Sequence, residues 1–271
     1  MEARVIQAIE TRTSTTPATG ELSPLERRVA VAVSPSFGFD MTRPEFRPIL
    51  RDHMRGTAYH EAGHIAARAF TRLEFSHVIS VSIIPEPDSA GRVSARGPFT
   101  EMFLGRRQHA PEETWREGLM LLLEILAGRG VEAKMDGGDS SWIVDGADAE
   151  EEEEGQDMWR AYRIARIMAR RSWHMWRVLD RAARWTSEML HVPAVWACVE
   201  TIAGLLLERG TIEDRDRLLR IMLEVPHAVS LPKWRHRLFP SAREVRKLWH
   251  PGPEPVPAGA PGASAATEGA P

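Results

Sequence analysis

The chain has 271 residues, 43% of them apolar and 27% charged, with a formal net charge of −3. The length allows one substantial domain with tails, or at most two small ones, and the composition indicates a soluble globular protein. Without a basic excess, the composition argues against nucleic acid as the main partner. Cys198 is the only cysteine, which excludes an internal disulfide and a cysteine-based zinc site and fits a reducing cytoplasm. Residues 1–10 do not resemble a signal peptide, and no stretch reaches about 18 uncharged apolar residues, so we predict a cytoplasmic protein without a membrane segment.

Residues 1–50 are predicted to form an N-terminal extension that is partly disordered. Residues 11–24 are rich in Thr, Ser, Pro and Gly, a composition that is typical of disorder. The apolar run at residues 29–33 indicates a short strand, and three prolines interrupt the sequence after it.

An H-E-x-x-H motif follows, His60-Glu61-Ala62-Gly63-His64, on a helix predicted to begin near residues 53–57 and to end at about residue 70. Residues four apart lie on one helix face, about 6 Å apart along the axis, so His60 and His64 can direct imidazole nitrogens at one cation. Glu61 projects from the adjacent flank, where it can reach a water at the metal without being a ligand. The alternative is a buried helix whose histidines only form hydrogen bonds in the core. The mid-helix Gly63 indicates that another element comes close there.

Residues 78–84 are rich in β-branched side chains and alternate, which predicts a strand, and residues 92–95 are predicted to return as a second one. In zinc peptidases a strand beside the metal helix commonly offers its edge to an extended substrate. The alternative is a hairpin that only covers the core.

Further helices are predicted in the second half of the chain. Pro111 suits the first turn of the most apolar one, and residues 136–156 are expected to be an acidic insertion at the surface, with cation or basic-peptide binding as the alternative. A helix is predicted from Asp157 to about residue 179, with eight arginines between residues 160 and 184 that we interpret as a solvated face rather than an RNA or DNA site. A helix from Pro193 should end at Gly210, and Thr211 should cap the next helix. The Pro/Gly/Ala-rich residues 251–271 are predicted to be a disordered tail.

Five segments follow one another in the order of a known peptidase domain: Ala58-Tyr59-His60-Glu61-Ala62-Gly63-His64, Val81-Ser82-Ile83-Ile84-Pro85, Ala127-Gly128-Arg129-Gly130-Val131-Glu132, Asp157-Met158-Trp159-Arg160-Ala161-Tyr162-Arg163-Ile164-Ala165-Arg166-Ile167-Met168 and Leu205-Leu206-Leu207-Glu208-Arg209-Gly210-Thr211-Ile212. They resemble the peptidase domain of the FtsH family, the AAA-linked zinc proteases. The resemblance implies that residues 51–250 form a mainly α (α+β) domain. This fold is a helical, zincin-like metallopeptidase with a small β-hairpin or sheet beside the H-E-x-x-H helix.

The resemblance also implies the roles of the site residues. His60 and His64 are expected to bind Zn²⁺ with Asp157 as the third ligand, and Glu61 is expected to be the catalytic carboxylate. Three N or O ligands leave a fourth position open for water, as in catalytic zinc sites. Glu132 matches a family glutamate near the metal and is expected to orient a ligand histidine.

The chain departs from the family in two places. The family pattern before the aspartate helix is interrupted here by the acidic run, so Asp148 and Glu150 remain alternative third ligands. We also expect the chain to lack the family's ATPase module and membrane anchor, because none of the lysines lies in a P-loop and the residues before the motif are too few for an ATPase domain.

We therefore expect a zinc-dependent endopeptidase that cleaves unfolded or short polypeptides without its own ATPase. Metal-activated water is the expected nucleophile and Glu61 the general base. A separate ATPase or unfoldase acting in trans is the expected alternative source of substrates. The other hypothesis is a non-catalytic, peptidase-like protein that binds or regulates a partner, and the oligomeric state stays open.

Overall fold

The fold is described from a computed structural model of the chain. The structure describes residues 21–72, 78–85, 90–95, 103, 111–138, 157–169, 172–239 and 243. Within these residues the protein is mainly helical with one small antiparallel sheet, which confirms the predicted fold class.

The described part of the chain consists of helices of 7 to 25 residues and three short strands. The helices are α1 (Pro24–Phe37), α2 (Arg47–Thr71), α3 (Pro111–Met135), α4 (Asp157–Met168), α5 (Ser172–Leu190), α6 (Pro193–Arg209), α7 (Arg215–Leu223) and α8 (Pro232–Leu238), with 3-10 turns at Pro44–Phe46 and Ala228–Ser230. The strands are β1 (Val78–Ser82), β2 (Arg92–Ala95) and β3 (Thr211–Ile212). Their order is β2-β1-β3, so β1 is central and the predicted hairpin of β1 and β2 is confirmed.

Helix α1 covers residues 29–33, so the prediction of a strand there is wrong. Ser23 caps the helix with a reciprocal pair of hydrogen bonds: its hydroxyl accepts from the Glu26 backbone N–H at 3.2 Å, and its own N–H donates to the Glu26 carboxylate at 2.8 Å. The buried residues of α1 follow helical spacing: Val29, Ala30 and Val33. This apolar face packs against the core and α1 contacts α2.

Helix α2, which carries the H-E-x-x-H motif, lies at the centre of the fold and contacts α1, α3, α6, α7 and the sheet. It begins at Arg47, before the predicted start near residues 53–57. Pro48 lies in its first turn, where a proline is tolerated. The predicted domain boundary at residue 50 therefore lies within this helix. A side chain at Gly63 would place its Cβ 2.8 Å from the carbonyl oxygen of Ala127 on α3. This confirms that another element comes close at that glycine.

The elements after α3 differ from prediction in two places. The predicted helix at 157–179 is two helices, α4 and α5. Thr211 does not cap a helix but lies in β3, and Asp214 caps α7 by accepting a hydrogen bond from the Arg217 N–H at 3.0 Å. Helix α6 ends before Gly210 as predicted. The prediction of disorder at residues 11–24 is wrong for Ser23 and Pro24, because Ser23 caps α1 and Pro24 begins it. The predictions for residues 1–20, for residues 139–156 of the acidic insertion and for the tail at 251–271 concern residues outside those that the structure describes.

No single helix in the described ranges is long and apolar enough to cross a membrane. Met175–Leu190 and Pro193–Arg209 meet the length and composition limits only as a pair, and the chain bends by 81° between them.

Candidate metal centre

The helices α2 and α3 and the first residue of α4 meet at one point. His60 and His64 lie one turn apart on α2, with ring centroids 4.8 Å apart, and Asp157 is the first residue of α4. The Asp157 Oδ2 atom lies 3.2 Å from His60 Nε2 and 3.1 Å from His64 Nε2. The structure therefore brings together the three residues predicted as ligands, although Asp157 follows His60 by 97 positions.

These three side chains fit a divalent cation. One candidate ligand atom from each residue lies within 4.8 Å of the others. Two imidazole nitrogens and a carboxylate oxygen form the N/O donor set that catalytic zinc takes, with the fourth position left open. The alternative ligands Asp148 and Glu150 lie outside the described residues. The preference for Asp157 over them stays a prediction.

Glu132 on α3 contacts the other side of the His60 ring. Its Oε1 atom lies 2.9 Å from His60 Nδ1. Because an ionised carboxylate can only accept a hydrogen bond, Nδ1 must be the donor, and Nε2 is the nitrogen that faces Asp157. This contact has the geometry of the orienting role predicted for Glu132.

His64 is held in a different way, by a contact that the sequence analysis missed. Its Nδ1 atom donates to the main-chain carbonyl oxygen of Glu124 at 2.8 Å. The Glu124 carboxylate is buried and accepts a hydrogen bond from Arg68 Nε at 2.5 Å. A signal for Glu124 was present in the sequence, because it is the one charged residue in the apolar run at 119–126.

Glu61 lies beside the three candidate ligands and is only 7% exposed. The chain entering β2 passes directly over it, since a Cβ on Gly91 would lie 2.8 Å from Glu61 Oε1 and 2.7 Å from Thr57 Cγ2. Burial raises the pKa of Glu61 above the usual carboxyl value, and the imidazoles of His64 and His60 only partly oppose this. A carboxylate whose pKa is moved towards neutrality suits proton transfer at physiological pH.

The pKa values of the three candidate ligands show that they interact strongly in the metal-free chain. Burial lowers the pKa of His60, but hydrogen bonds to Asp157 and Glu132 outweigh it and raise the pKa to about 10. Burial also lowers the pKa of His64, but the charge of Asp157 and its hydrogen bond to the ring together outweigh burial and raise the pKa. Burial would raise the pKa of Asp157, but both imidazoles hold it well below its usual range. A cation entering this site must displace protons from the histidines.

Comparison with known proteins adds no assignment to this geometry. The chain matches no protein-family profile. No curated protein is significantly similar to it. The resemblance to the FtsH family therefore stays a prediction.

Proposed function

We propose that the chain is a zinc-dependent endopeptidase with a peptidase domain of the FtsH type. The observation that carries the proposal is the convergence of His60, His64 and Asp157 beside the buried carboxylate of Glu61. Two imidazoles and one carboxylate also suit ferrous iron. A buried carboxylate that is adjacent to the ligands, but is not one of them, favours hydrolysis because that reaction needs a proton acceptor at this place.

In this proposal the chain's own residues position the reactants and move one proton. When bound, Zn²⁺ supplies Lewis acidity, which lowers the pKa of water from 15.7 to about 7 and polarises a carbonyl group. Glu61 accepts a proton from the attacking water as the new C–O bond forms at the scissile carbonyl carbon. It returns this proton to the amide nitrogen as the C–N bond breaks, so the products are a carboxyl group and an amine.

The side of β2 that faces away from β1 is the proposed place for an extended substrate. Among the described strands β2 pairs only with β1, and Gly91 at its start lies over Glu61. A peptide added to this edge as a further strand would carry its backbone past the carboxylate. The substrates we propose are unfolded or short polypeptides in the cytoplasm, with a separate ATPase in trans as the partner that would deliver folded ones.

The variant Glu61→Gln tests the reaction. It keeps the shape of the side chain but cannot accept the proton, so we expect unchanged zinc content and a loss of hydrolysis of at least about 100-fold. The measurement is zinc content by mass spectrometry together with digestion of unfolded casein, with and without a chelator. His64→Ala is the matched control and should lose both zinc and activity.

Full activity in Glu61→Gln would contradict the mechanism. Zinc bound at the site without proteolysis under any condition would instead favour the non-catalytic, peptidase-like protein.

A further inference from the structure

A buried ion pair joins α2 and α3 one helical turn beyond His64. Arg68 donates from Nε to Glu124 Oε1 at 2.5 Å, and its Nη2 atom makes a closer contact with the same oxygen. The two side chains are only 13% and 9% exposed. Two charges that are shielded from water in this way require a defined geometry, because each is compensated mainly by the opposite charge of the other.

Glu124 connects this ion pair to the candidate metal centre through its backbone. Its main-chain oxygen accepts the hydrogen bond from His64 Nδ1 at 2.8 Å. A carbonyl oxygen can only accept, so the contact keeps the proton on Nδ1 and leaves Nε2 as the nitrogen available for a metal. Glu124 thus orients the His64 ring through its main chain, while its side chain is held by Arg68 on the helix that carries His64.

We propose that Arg68 and Glu124 are positioning residues for His64. Their ion pair fixes the approach of α3 to α2 at the level where the Glu124 carbonyl meets the imidazole. Neither residue belongs to the segments that resemble the FtsH family. The inference deepens the function proposed above and rests on its metal centre, not on peptide hydrolysis.

An ion pair that only held two helices together could be replaced by apolar side chains of similar size without loss of stability. A pair that positions His64 could not be replaced in this way without loss of Zn²⁺ affinity, because apolar contacts do not fix the direction of the Glu124 carbonyl. The informative variants are therefore Glu124→Gln, which removes one charge, and the double variant Arg68→Leu/Glu124→Leu, which removes both. Arg68→Lys keeps the charge but not the forked donor geometry. Asp180→Asn is the control, because it breaks the exposed pair formed by Asp180 and Arg184 on α5.

The experiment measures Zn²⁺ affinity by competition with a chromophoric chelator, and the visible absorption of bound Co²⁺ as a probe of ligand geometry. Circular dichroism of the full chain reports folding. We expect Glu124→Gln and the double variant to bind Zn²⁺ about 10- to 100-fold more weakly than wild type, with altered Co²⁺ bands. The Zn²⁺ affinity of Arg68→Lys should lie between those of these two variants and that of wild type. Asp180→Asn should bind Zn²⁺ as tightly as wild type.

Wild-type Zn²⁺ affinity and Co²⁺ bands in a folded double variant would overturn the inference and leave the metal centre intact. If the double variant does not fold, Arg68→Lys decides in its place, and wild-type values there overturn the inference equally. Zinc binding without peptide hydrolysis in the wild type would contradict only the proposed reaction. A wild-type chain that binds no Zn²⁺ would remove both the metal centre and this inference.

Discussion

Gly128 on α3 faces the imidazole of His60. A Cβ at this position would lie 2.5 Å from His60 Nε2, the nitrogen that faces Asp157. Real Cβ atoms do not approach a ring this closely, so any side chain would displace either the imidazole or the helix. The observed position of the His60 imidazole in the candidate metal centre therefore requires the absence of a side chain at residue 128.

We expect Gly128→Ala to lower Zn²⁺ affinity by at least about tenfold, as removal of a group that orients a ligand does. The measurement is chelator competition at neutral pH. Gly204→Ala on α6 is the matched control, since a Cβ there meets no atom within 4 Å. It should leave Zn²⁺ affinity unchanged and stabilise the protein by up to about 1 kcal/mol through helix propensity. Equal Zn²⁺ affinity in the two variants would contradict this account of Gly128.

The residues of the site differ in how far the sequence predicts them. His60, Glu61 and His64 form a local motif whose spacing equals one helical turn, so they can be recognised without tertiary structure. Asp157 was identified only through the resemblance, because nothing local links it to a motif 97 positions earlier. Glu124 stands out as the one charged residue in an apolar run, but its contact with His64 could not be predicted, since it is made by a backbone carbonyl, which every residue type has.

At the scale of elements, the end of α2 depends on one residue in an uncommon conformation. Arg72 has φ of 60°, in the left-handed region that favours glycine. Its guanidinium donates to the carbonyl oxygens of Met222 at 3.1 Å and Val225 at 2.7 Å. These bonds connect the end of α2 to the last turn of α7 and the residues just after it, and they offset the cost of the backbone conformation.

The variants Arg72→Ala and Arg72→Gly separate these two effects. Both lose the hydrogen bonds to the carbonyl oxygens of Met222 and Val225 and should be less stable than wild type, but only alanine retains the steric cost of a left-handed backbone. We expect Arg72→Gly to be about 1 kcal/mol more stable than Arg72→Ala. Urea denaturation of both variants measures the difference. An alanine variant as stable as the glycine variant would show that the backbone is not strained at this position.

The wrong prediction for α1 shows how two local patterns compete. Valine and alanine alternate at residues 29–33, which fits a strand, but the same residues also place an apolar face at helical spacing. The capping box of Ser23 and Glu26, together with Pro24 as the first residue of the helix, favours the helix. In this segment the helix start signals outweigh the apolar alternation.

At the scale of the whole molecule, the metal-free protein should change stability with pH. The pKa of His60 is about 10 in the folded chain, against an ordinary value of 6.5. Its contribution to the free energy of unfolding is therefore full below pH 6.5 and is lost as the pH rises towards 10. The effect of Asp157 has the opposite pH dependence. Because its pKa is lowered, its contribution to stability is present above pH 3.8 and is lost as the pH falls below that value. Glu61 reinforces the loss at high pH, since its raised pKa makes ionisation unfavourable in the folded state.

We therefore predict that the chelator-treated chain is most stable between about pH 4 and pH 6.5. Thermal denaturation at pH 5.5 and pH 9 should show a fall in Tm of at least about 2–4 °C, which corresponds to about 1 kcal/mol in a domain of this size. Asp157→Asn should remove most of this dependence. A Tm that is constant or rises between pH 6.5 and pH 9 would contradict the predicted charge states.

Much of the architecture could be predicted from the sequence, because long amphipathic or apolar segments and one β-branched strand have strong local patterns. The third strand was missed because Thr211–Ile212 is only two residues long and pairs with β1 from far along the chain. Its pairing is set by tertiary contacts, such as the hydrogen bond of 2.8 Å between the Ser82 and Thr211 hydroxyls. A strand this short has no periodicity to detect.

The central claim is that His60, His64 and Asp157 hold one catalytic metal ion. The most direct test is a crystal structure of the zinc-loaded protein with anomalous diffraction recorded at the zinc absorption edge. We predict one strong anomalous peak within bonding distance of His60 Nε2, His64 Nε2 and an Asp157 carboxylate oxygen. A map with no peak there, or with zinc bound by the two histidines and a different acidic residue, would contradict the claim.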